Sequence, residues 1–264
     1  MFEFCSLYSG SSGNSLLVQT DNTKILIDAG ESAKKITDAL SSLDIVPNEL
    51  DAILVTHEHS DHVKSLGTFS KKYNIPVYAN KQTWDAMPDQ SAKVLENNKK
   101  QFQPSENFEI GDLKIHPFKI PHDAANPCGF NLFHNNQKIS IATDIGHMTS
   151  SIAHTLEDSS FLLLEANYDP NVLKYSKYPY LLKERIAGPN GHLPNEEAGK
   201  TISYLLKSGL KQVMLGHLSK ENNFPELAYK TVVEKLMENQ HNENSILINV
   251  ANRLGPSPLV KVDA

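Results

Sequence analysis

Three histidines and one aspartate occur within six residues of the sequence, at His57, His59, Asp61 and His62. Neutral imidazole and carboxylate groups are ligands that suit zinc, manganese or iron. His57 and His59 lie two residues apart and can point the same way. Asp61 and His62 lie at the start of a helix predicted over residues 61–73, where they can face a second ion. Surface histidines are common, but this spacing is hard to explain except by metal ligation.

Other polar residues of the same types follow apolar runs that are typical of buried strands. The run 52–56 leads into the histidine stretch, and His122, Asp144 and His217 each follow another such run. Loops at one edge of a rigid scaffold are where binding residues converge. On spacing alone, His122 and His217 could equally be ordinary loop histidines, and the question stays open at this point.

Hydrophobic periodicity and turn residues predict the elements that position these residues. Strands are predicted at 2–8, 15–20, 24–29, 52–56, 75–78, 113–120, 129–134, 138–143, 161–165, 211–215 and 245–251. Helices are predicted at 32–43, 61–73, around Trp84, at 194–207 with Asn195 as cap, and at 225–238, with 88–107 as a surface excursion. In each half, an amphipathic helix precedes a buried strand that ends in a histidine loop. That arrangement suits two facing sheets with helices outside.

The motif H-x-H-x-D-H after a strand resembles the signature of the metallo-β-lactamase superfamily. The stretches Ser9-Gly10-Ser11-Ser12-Gly13-Asn14-Ser15 and Ile25-Leu26-Ile27-Asp28-Ala29-Gly30 resemble its YycJ/WalJ-like branch, whose relatives include ribonuclease Z and the phosphonate-pathway phosphodiesterases. The resemblance runs from about Phe2 to the last predicted strand. It implies an α/β (α+β) fold, the four-layer αββα metallo-β-lactamase sandwich.

The resemblance also implies how the ligands divide between two divalent ions, which would be zinc or manganese, with iron possible. The ligands of one ion would be His57, His59 and His122, those of the other Asp61, His62 and His217, and Asp144 would bridge them. Asp28 would support the ligand loop without binding metal. A hydroxide that bridges the ions would be the nucleophile, since two such ions lower the pKa of bound water towards 7.

A proton donor for the leaving group is predicted at His192, which stands just before a helix and resembles a histidine of the ribonuclease Z-like and phosphonate-pathway enzymes. Asp61 and His192 are accordingly the predicted catalytic residues, with Glu165 or Asp123 as the group that orients His192. The alternative is that His192 only caps or packs against the helix.

Substrate contacts are predicted for Lys174, Lys177 and Arg185, and for Asn14 in the Gly/Ser-rich loop. Residues 171–185 interleave basic and tyrosine side chains with a single acidic residue. Such a mixture suits phosphate contacts and base stacking. A solvated helix face with packed tyrosines would have the same composition.

Composition favours a soluble protein in a single domain over residues 1–264, because hydrophobic residues make up 39%, charged residues 21%, and no linker divides the chain. Two cysteines are too few for a disulfide framework, and no signal peptide or membrane-spanning run is evident. These features predict a cytoplasmic protein without membrane contact. The net charge of −6 argues against indiscriminate binding to polyanions, but allows a local basic groove.

Together these features predict a dinuclear metal-dependent hydrolase that cleaves phosphodiesters, with nucleic acid as partner and an exonuclease-like activity on DNA. Hydrolysis of a small or cyclic phosphodiester is one alternative. Hydrolysis of a thioester, lactone or β-lactam on the same centre is another, and a non-catalytic binding protein with the same fold is a third. The sequence leaves open the metal, the polarity and strandedness of the substrate, and the oligomeric state.

Overall fold

The computed structural model describes residues 1–262 and contains two seven-stranded sheets. The first sheet comprises β1 (Phe2–Tyr8), β2 (Ser15–Thr20), β3 (Lys24–Ile27), β4 (Ala52–Leu54), β5 (Val77–Ala79), β6 (Lys99–Gln101) and β14 (Val260–Lys261). The second comprises β7 (Phe108–Ile110), β8 (Leu113–Lys119), β9 (Cys128–His134), β10 (Gln137–Ala142), β11 (Phe161–Glu165), β12 (Gln212–Gly216) and β13 (Leu247–Val250). Their orders are β14-β1-β2-β3-β4-β5-β6 and β13-β12-β11-β10-β9-β8-β7.

Helices cover the outer faces of both sheets. On the first sheet lie α1 (Ala33–Ser41), α2 (Ser60–Val63), α3 (Leu66–Tyr73) and α4 (Lys81–Ala86), and α5 (Pro88–Ser91) contacts α3 and α4. On the second lie α6 (Ser150–Leu156), α9 (Asn195–Leu205) and α10 (Pro225–Glu238), while α7 (Pro170–Tyr175) and α8 (Tyr180–Ala187) are largely exposed. Within residues 1–262, no helix has the length and apolar character needed to span a bilayer.

The central core lies between the two sheets and is built from the alternate side chains that each strand turns inward. Phe4 of β1 and Phe161 of β11 are fully buried there, with ring centroids 4.7 Å apart. Two further apolar clusters join each sheet to its own helices. The four-layer αββα sandwich predicted from the sequence is confirmed.

The parallel strands of both sheets bring their carboxyl ends to the rim where the predicted ligands lie. β3 and β4 are parallel, and so are β10, β11, β12 and β13. Loops that leave the carboxyl ends of parallel strands meet at one edge of a sheet, which is the usual place for a binding site in such folds. Asp28, His57, Asp144 and His217 follow four of these ends.

The prediction of one helix over 61–73 was wrong, because the chain forms α2 and α3 with a break at Lys64 and Ser65. Backbone groups at the break bond to Ala29, which follows β3. Ala29 N donates to His62 O (2.8 Å), and Ser65 N donates to Ala29 O (3.0 Å). These contacts replace helical hydrogen bonds and fix His62 against the first sheet.

Other element predictions also need correction. Residues 88–107 contain α5 and β6, and β6 forms the edge of the first sheet. Asn195 does not cap α9, since Pro194 holds the cap position and the Asn195 side chain instead exchanges hydrogen bonds with Asn223 (2.8 and 3.1 Å). The elements α6, α7, α8, β7 and β14 were not predicted.

Candidate metal centre

The loop that carries the histidine stretch is fixed by the buried carboxylate of Asp28. Asp28 Oδ1 accepts a hydrogen bond from Thr56 N (2.9 Å), and Oδ2 accepts one from Thr56 Oγ1 (2.8 Å). The same Oδ2 lies 2.7 Å from His62 Nδ1. A buried carboxylate is costly unless its oxygens accept hydrogen bonds, so these contacts hold the loop and the His62 ring in one arrangement. They leave Nε2 as the ligand atom that His62 can offer.

Three imidazoles converge in the first candidate ligand group, which consists of His57, His59 and His122. One ring nitrogen from each lies within 4.8 Å of the others. His122 Nδ1 donates to Gly191 O at 3.0 Å, since a carbonyl oxygen can only accept. The proton is thereby fixed on Nδ1, and Nε2 is free to face His59 Nδ1 at 3.3 Å.

The second candidate ligand group consists of Asp61, His62 and His217, which also meet within 4.8 Å. Asp61 Oδ2 lies 3.6 Å from His62 Nε2 and 3.7 Å from His217 Nε2. Asp144 stands between the two groups, with Oδ1 3.6 Å from His122 Nε2 and Oδ2 3.2 Å from His62 Nε2. This is the position that a bridging carboxylate requires, and the bridging role itself stays a prediction.

Unpaired buried nitrogens indicate that the cluster is suited to metal ions. His57 Nε2 and His217 Nε2 are buried and have no hydrogen-bond partner among residues 1–262. Leaving such a group unpaired costs roughly 1–3 kcal/mol, which a cation that accepts the nitrogen lone pair would recover. Burial also lowers the pKa of His57 well below its usual value, so its ring is neutral, as ligation requires. The donor set of imidazole and carboxylate fits zinc, manganese or iron.

Glu165 links a predicted ligand to the predicted proton donor. It is fully buried, and its Oε1 lies 2.8 Å from His217 Nδ1 and 2.9 Å from His192 Nδ1. Its Oε2 accepts hydrogen bonds from Ile145 N (2.7 Å) and Leu193 N (3.0 Å). Of the two residues proposed to orient His192, the structure brings Glu165 into contact with Nδ1, whereas Asp123 pairs with Arg185.

The charges around Glu165 reinforce one another. Burial alone would raise the pKa of Glu165, but the charges and hydrogen bonds of His192 and His217 outweigh it and lower the pKa to about 2. Burial likewise would lower the pKa of His192, and the carboxylate of Glu165 reverses that effect and raises it. Glu165 therefore stays ionised and favours a proton on His192 Nδ1.

Three residues at the rim adopt the left-handed backbone conformation that non-glycine residues seldom use. They are Asp28 (φ 61°), Asp144 (φ 58°) and His217 (φ 54°), each just after a strand. Such conformations persist only where the surroundings hold them, and they concentrate at functional sites. Two hydrogen bonds hold the backbone of His217 in place, from its N–H to Ser9 Oγ (2.8 Å) and from Asn167 Nδ2 to its carbonyl (2.7 Å).

The side chain of Asn14 is buried beside two candidate ligands, Asp61 and His62. Its Nδ2 is 3.1 Å from His62 Nε2, and its backbone N–H donates to Asp61 O (2.8 Å). Its carbonyl accepts from Gly30 N (2.9 Å). The structure thus brings Asn14 against Asp61 and His62, while its contact with substrate stays a prediction.

The other predicted substrate residues lie on the α7–α8 segment. Lys174 and Lys177 are exposed, and Arg185 Nε donates to Asp123 Oδ2 at 2.5 Å. A cavity of about 180 Å³ separates α8 from the metal centre and is lined by Arg185, His192 and Ser219. The structure therefore places one of the three cations beside the predicted proton donor.

One supporting residue was missed in the sequence although it lies inside the motif. Glu58 Oε1 accepts a hydrogen bond from Ala125 N (2.7 Å), which ties the histidine stretch to the loop after His122. A carboxylate between two predicted ligands was a visible signal. Its partner was not, because Ala125 is 67 residues away along the chain.

Comparisons with known proteins concern the family and the fold of the chain. A family model described as "Beta-lactamase superfamily domain" matches residues 23–218. The chain is 39% identical over 239 residues to the "Exodeoxyribonuclease WalJ" of Streptococcus pneumoniae, covering 90% of this chain and 89% of that protein. It is 37% identical over 235 residues to the "Exodeoxyribonuclease YycJ" of Bacillus anthracis, covering 89% of each.

Among solved structures, the metallo-beta-lactamase fold protein YhfI from Bacillus subtilis superposes with a TM-score of 0.70. The match covers 97% of this chain and 99% of that one, at 16% sequence identity. At that identity the likeness concerns the fold alone.

Replacing Gly30 should disturb the second ligand group. A Cβ at Gly30 would stand 1.6 Å from Asp61 O and 2.8 Å from Asn14 N. We expect Gly30→Ala to lower both the content of bound divalent ion and the free energy of unfolding, the latter by about 2 kcal/mol or more. Metal analysis and denaturant unfolding measure the two effects. Gly255→Ala is the matched control, since a Cβ there meets no described atom within 4 Å; equal ion content in both variants would contradict the packing argument.

Proposed function

We propose that this chain, which belongs to the β-lactamase superfamily, is a metal-dependent nuclease that hydrolyses DNA from an end. Its relatives WalJ and YycJ, matched over about nine-tenths of the chain, carry the name exodeoxyribonuclease and support this choice of substrate. The observation that carries the proposal is the His192–Glu165 pair beside the ligand cluster. A centre that holds ions next to an oriented proton donor is suited to a reaction whose leaving group is an alkoxide.

The ligand assignment that we propose follows the two groups described above. His57, His59 and His122 would hold one ion and Asp61, His62 and His217 the other, with Asp144 placed between the two groups. We propose zinc or manganese, with iron possible, from the chemistry of the donor set. When bound, the ions supply positive charge that polarises the phosphoryl group and activates water for attack.

His192 is the proposed general acid. Its Nδ1 faces Glu165 Oε1, so the proton at that position is held and Nε2 is the nitrogen left for the cavity. The side chain remains 22% exposed, which gives substrate access to it. A proton donated from Nε2 would neutralise the leaving sugar oxygen, and Glu165 would stabilise the ring in its charged form.

The α7–α8 segment is the proposed contact for the DNA strand. Lys174 and Lys177 offer charge for phosphates, and Tyr175 and Tyr180, which are 79% and 72% exposed, offer surfaces for stacking. Arg185 is held by Asp123 at the edge of the cavity beside His192. The size of that cavity, about 180 Å³, also favours a small phosphodiester as a second candidate substrate.

We propose a single domain, supported by the apolar core that joins both sheets. We also propose a cytoplasmic location, for which the free, buried thiols of Cys5 and Cys128 are the supporting observation.

Hydrolysis assays test the proposed function directly. Metal-free protein is reloaded with manganese or zinc and offered bis(p-nitrophenyl) phosphate and end-labelled duplex and single-stranded DNA, with Asp144→Ala as control. We expect metal-dependent cleavage of DNA with release of label from one end, and loss of both activities in Asp144→Ala. A protein that binds its ions but cleaves neither substrate would contradict the proposal and favour an acyl-ester hydrolase.

The proton donor has a test that separates chemistry from packing. Because p-nitrophenolate leaves without a proton, His192→Ala should lose about a hundredfold or more of its turnover on DNA, and much less on bis(p-nitrophenyl) phosphate. The ion content should stay at the wild-type value. His147→Ala is the control, because this neighbouring histidine hydrogen-bonds only to Pro189 O (2.8 Å) within residues 1–262. Equal losses on both substrates would show that His192 has a structural role.

A further inference from the structure

A second cavity opens on the same rim as the candidate metal centre. It has a volume of about 210 Å³ and is lined by Ser9, Leu218, Lys220, Phe224 and Arg253, among others. Leu218 follows β12, and Arg253 follows β13, which is parallel to β12. Ala251 N donates to Leu215 O (2.8 Å), so the chain after β13 leaves the sheet beside the chain after β12.

Only one loop and one short segment separate this cavity from the one beside His192. Ser9 lines the new cavity, and its Oγ accepts the hydrogen bond from His217 N (2.8 Å). Two other serines line the cavity beside His192: Ser11, two residues after Ser9, and Ser219, two residues after His217. A strand that passes over the metal centre could therefore reach both cavities.

The charge of the new cavity is opposite to that of the whole chain. Two cations line it, Lys220 and Arg253, and none of the described residues that line it is acidic, although the net charge of the protein is −6. Lys220 is exposed and makes no hydrogen bond or ion pair within the described part of the chain. An anion in this cavity would meet two positive charges and no negative one.

Arg253 differs from Lys220 because part of its guanidinium is buried. Its Nη2 donates a hydrogen bond to Leu218 O, whereas its Nη1 is buried beside Gly10 and has no partner among residues 1–262. The guanidinium is half-buried and forms no ion pair with a carboxylate of residues 1–262, so an anion bound in the cavity would supply the opposite charge that it lacks. Neither Lys220 nor Arg253 has a role in the proposed hydrolysis.

The first turn of α10 also borders the cavity. Phe224 and Pro225 line the cavity, and Phe224 caps this 14-residue helix without a side-chain hydrogen bond. The free N–H groups at a helix N-terminus favour anions. Glu226 in the same turn opposes an anion, so the selection for a negative ligand depends on Lys220 and Arg253.

We propose that the Lys220–Arg253 cavity binds a backbone phosphate of the DNA strand. This inference rests on the proposed nuclease function and adds a phosphate subsite to it. A phosphate contact in this cavity, in addition to those of the α7–α8 segment, would fix the strand at two places, so that binding energy from remote phosphates positions the scissile one.

Salt dependence of DNA binding tests the inference. Each phosphate contact that a cation makes contributes about one unit to the slope of log Kd against log salt concentration. The metal-loaded full chain is titrated against a fluorescent phosphorothioate oligonucleotide, which resists hydrolysis. We expect Lys220→Gln to lower the slope by about one. Lys207 is an exposed lysine just after the end of α9, and Lys207→Gln should leave the slope unchanged. Arg253→Gln should lower it similarly, while Arg253→Lys, which keeps the charge, should not.

The outcomes separate this inference from the proposed function, because the assay measures binding without turnover. A lower slope in Lys220→Gln combined with absence of DNA cleavage by the wild type would overturn the nuclease and leave the subsite standing. A slope unchanged in Lys220→Gln, or no DNA binding by the wild type, would overturn the subsite. Inorganic phosphate is titrated in parallel: if Lys220→Gln weakens its binding but not that of DNA, the ligand is a free phosphate and the DNA subsite is overturned.

Discussion

The buried carboxylate of Asp28 is the interaction on which the candidate centre depends. It is 2% exposed, and it joins the end of β3 to the loop after β4 through Thr56 and to α2 through His62. A carboxylate in such surroundings is stable only while all of these donors remain in place, so the strand, the loop and the helix are held as one unit. The break between α2 and α3 follows from the same requirement, since Ala29, next to Asp28, bonds to both His62 and Ser65.

Glu165 has the corresponding position on the second sheet. Its single Oε1 atom contacts His217, a proposed ligand, and His192, the proposed acid. A change in the charge of one histidine is therefore felt by the other through a common fully buried carboxylate. Asp144 lies between the residues that the two sheets contribute to the centre. Its carboxylate oxygens are within 3.6 Å of ring nitrogens from four histidines, His62, His122, His192 and His217. The centre is thus assembled from both halves of the sandwich.

Local patterns in the sequence indicated two facing sheets and candidate ligands at strand ends, whereas the resemblance to the metallo-β-lactamase superfamily was needed to predict the four-layer sandwich and to choose His122 and His217 as ligands. Each of those residues follows an apolar strand, and strand ends can be recognised over a few residues. Contacts between distant segments could not be predicted in this way. The cap expected at Asn195 was wrong because Asn223 engages its side chain, and the helix over 61–73 was wrong because Ala29 diverts its hydrogen bonds. The short helices α7 and α8 were missed because their side chains are largely exposed and have no clear apolar face.

The number of divalent ions bound per chain tests the central claim most directly, namely that the buried histidine and aspartate side chains form a two-ion centre. Protein loaded with zinc or manganese, freed of excess ion and analysed by elemental mass spectrometry against protein concentration should contain about two ions per chain, as a dinuclear centre requires. Asp144→Asn should contain clearly fewer, because its side chain would no longer bring a negative charge to both ligand groups. A wild-type protein that retains no ion, or only one, would contradict the account.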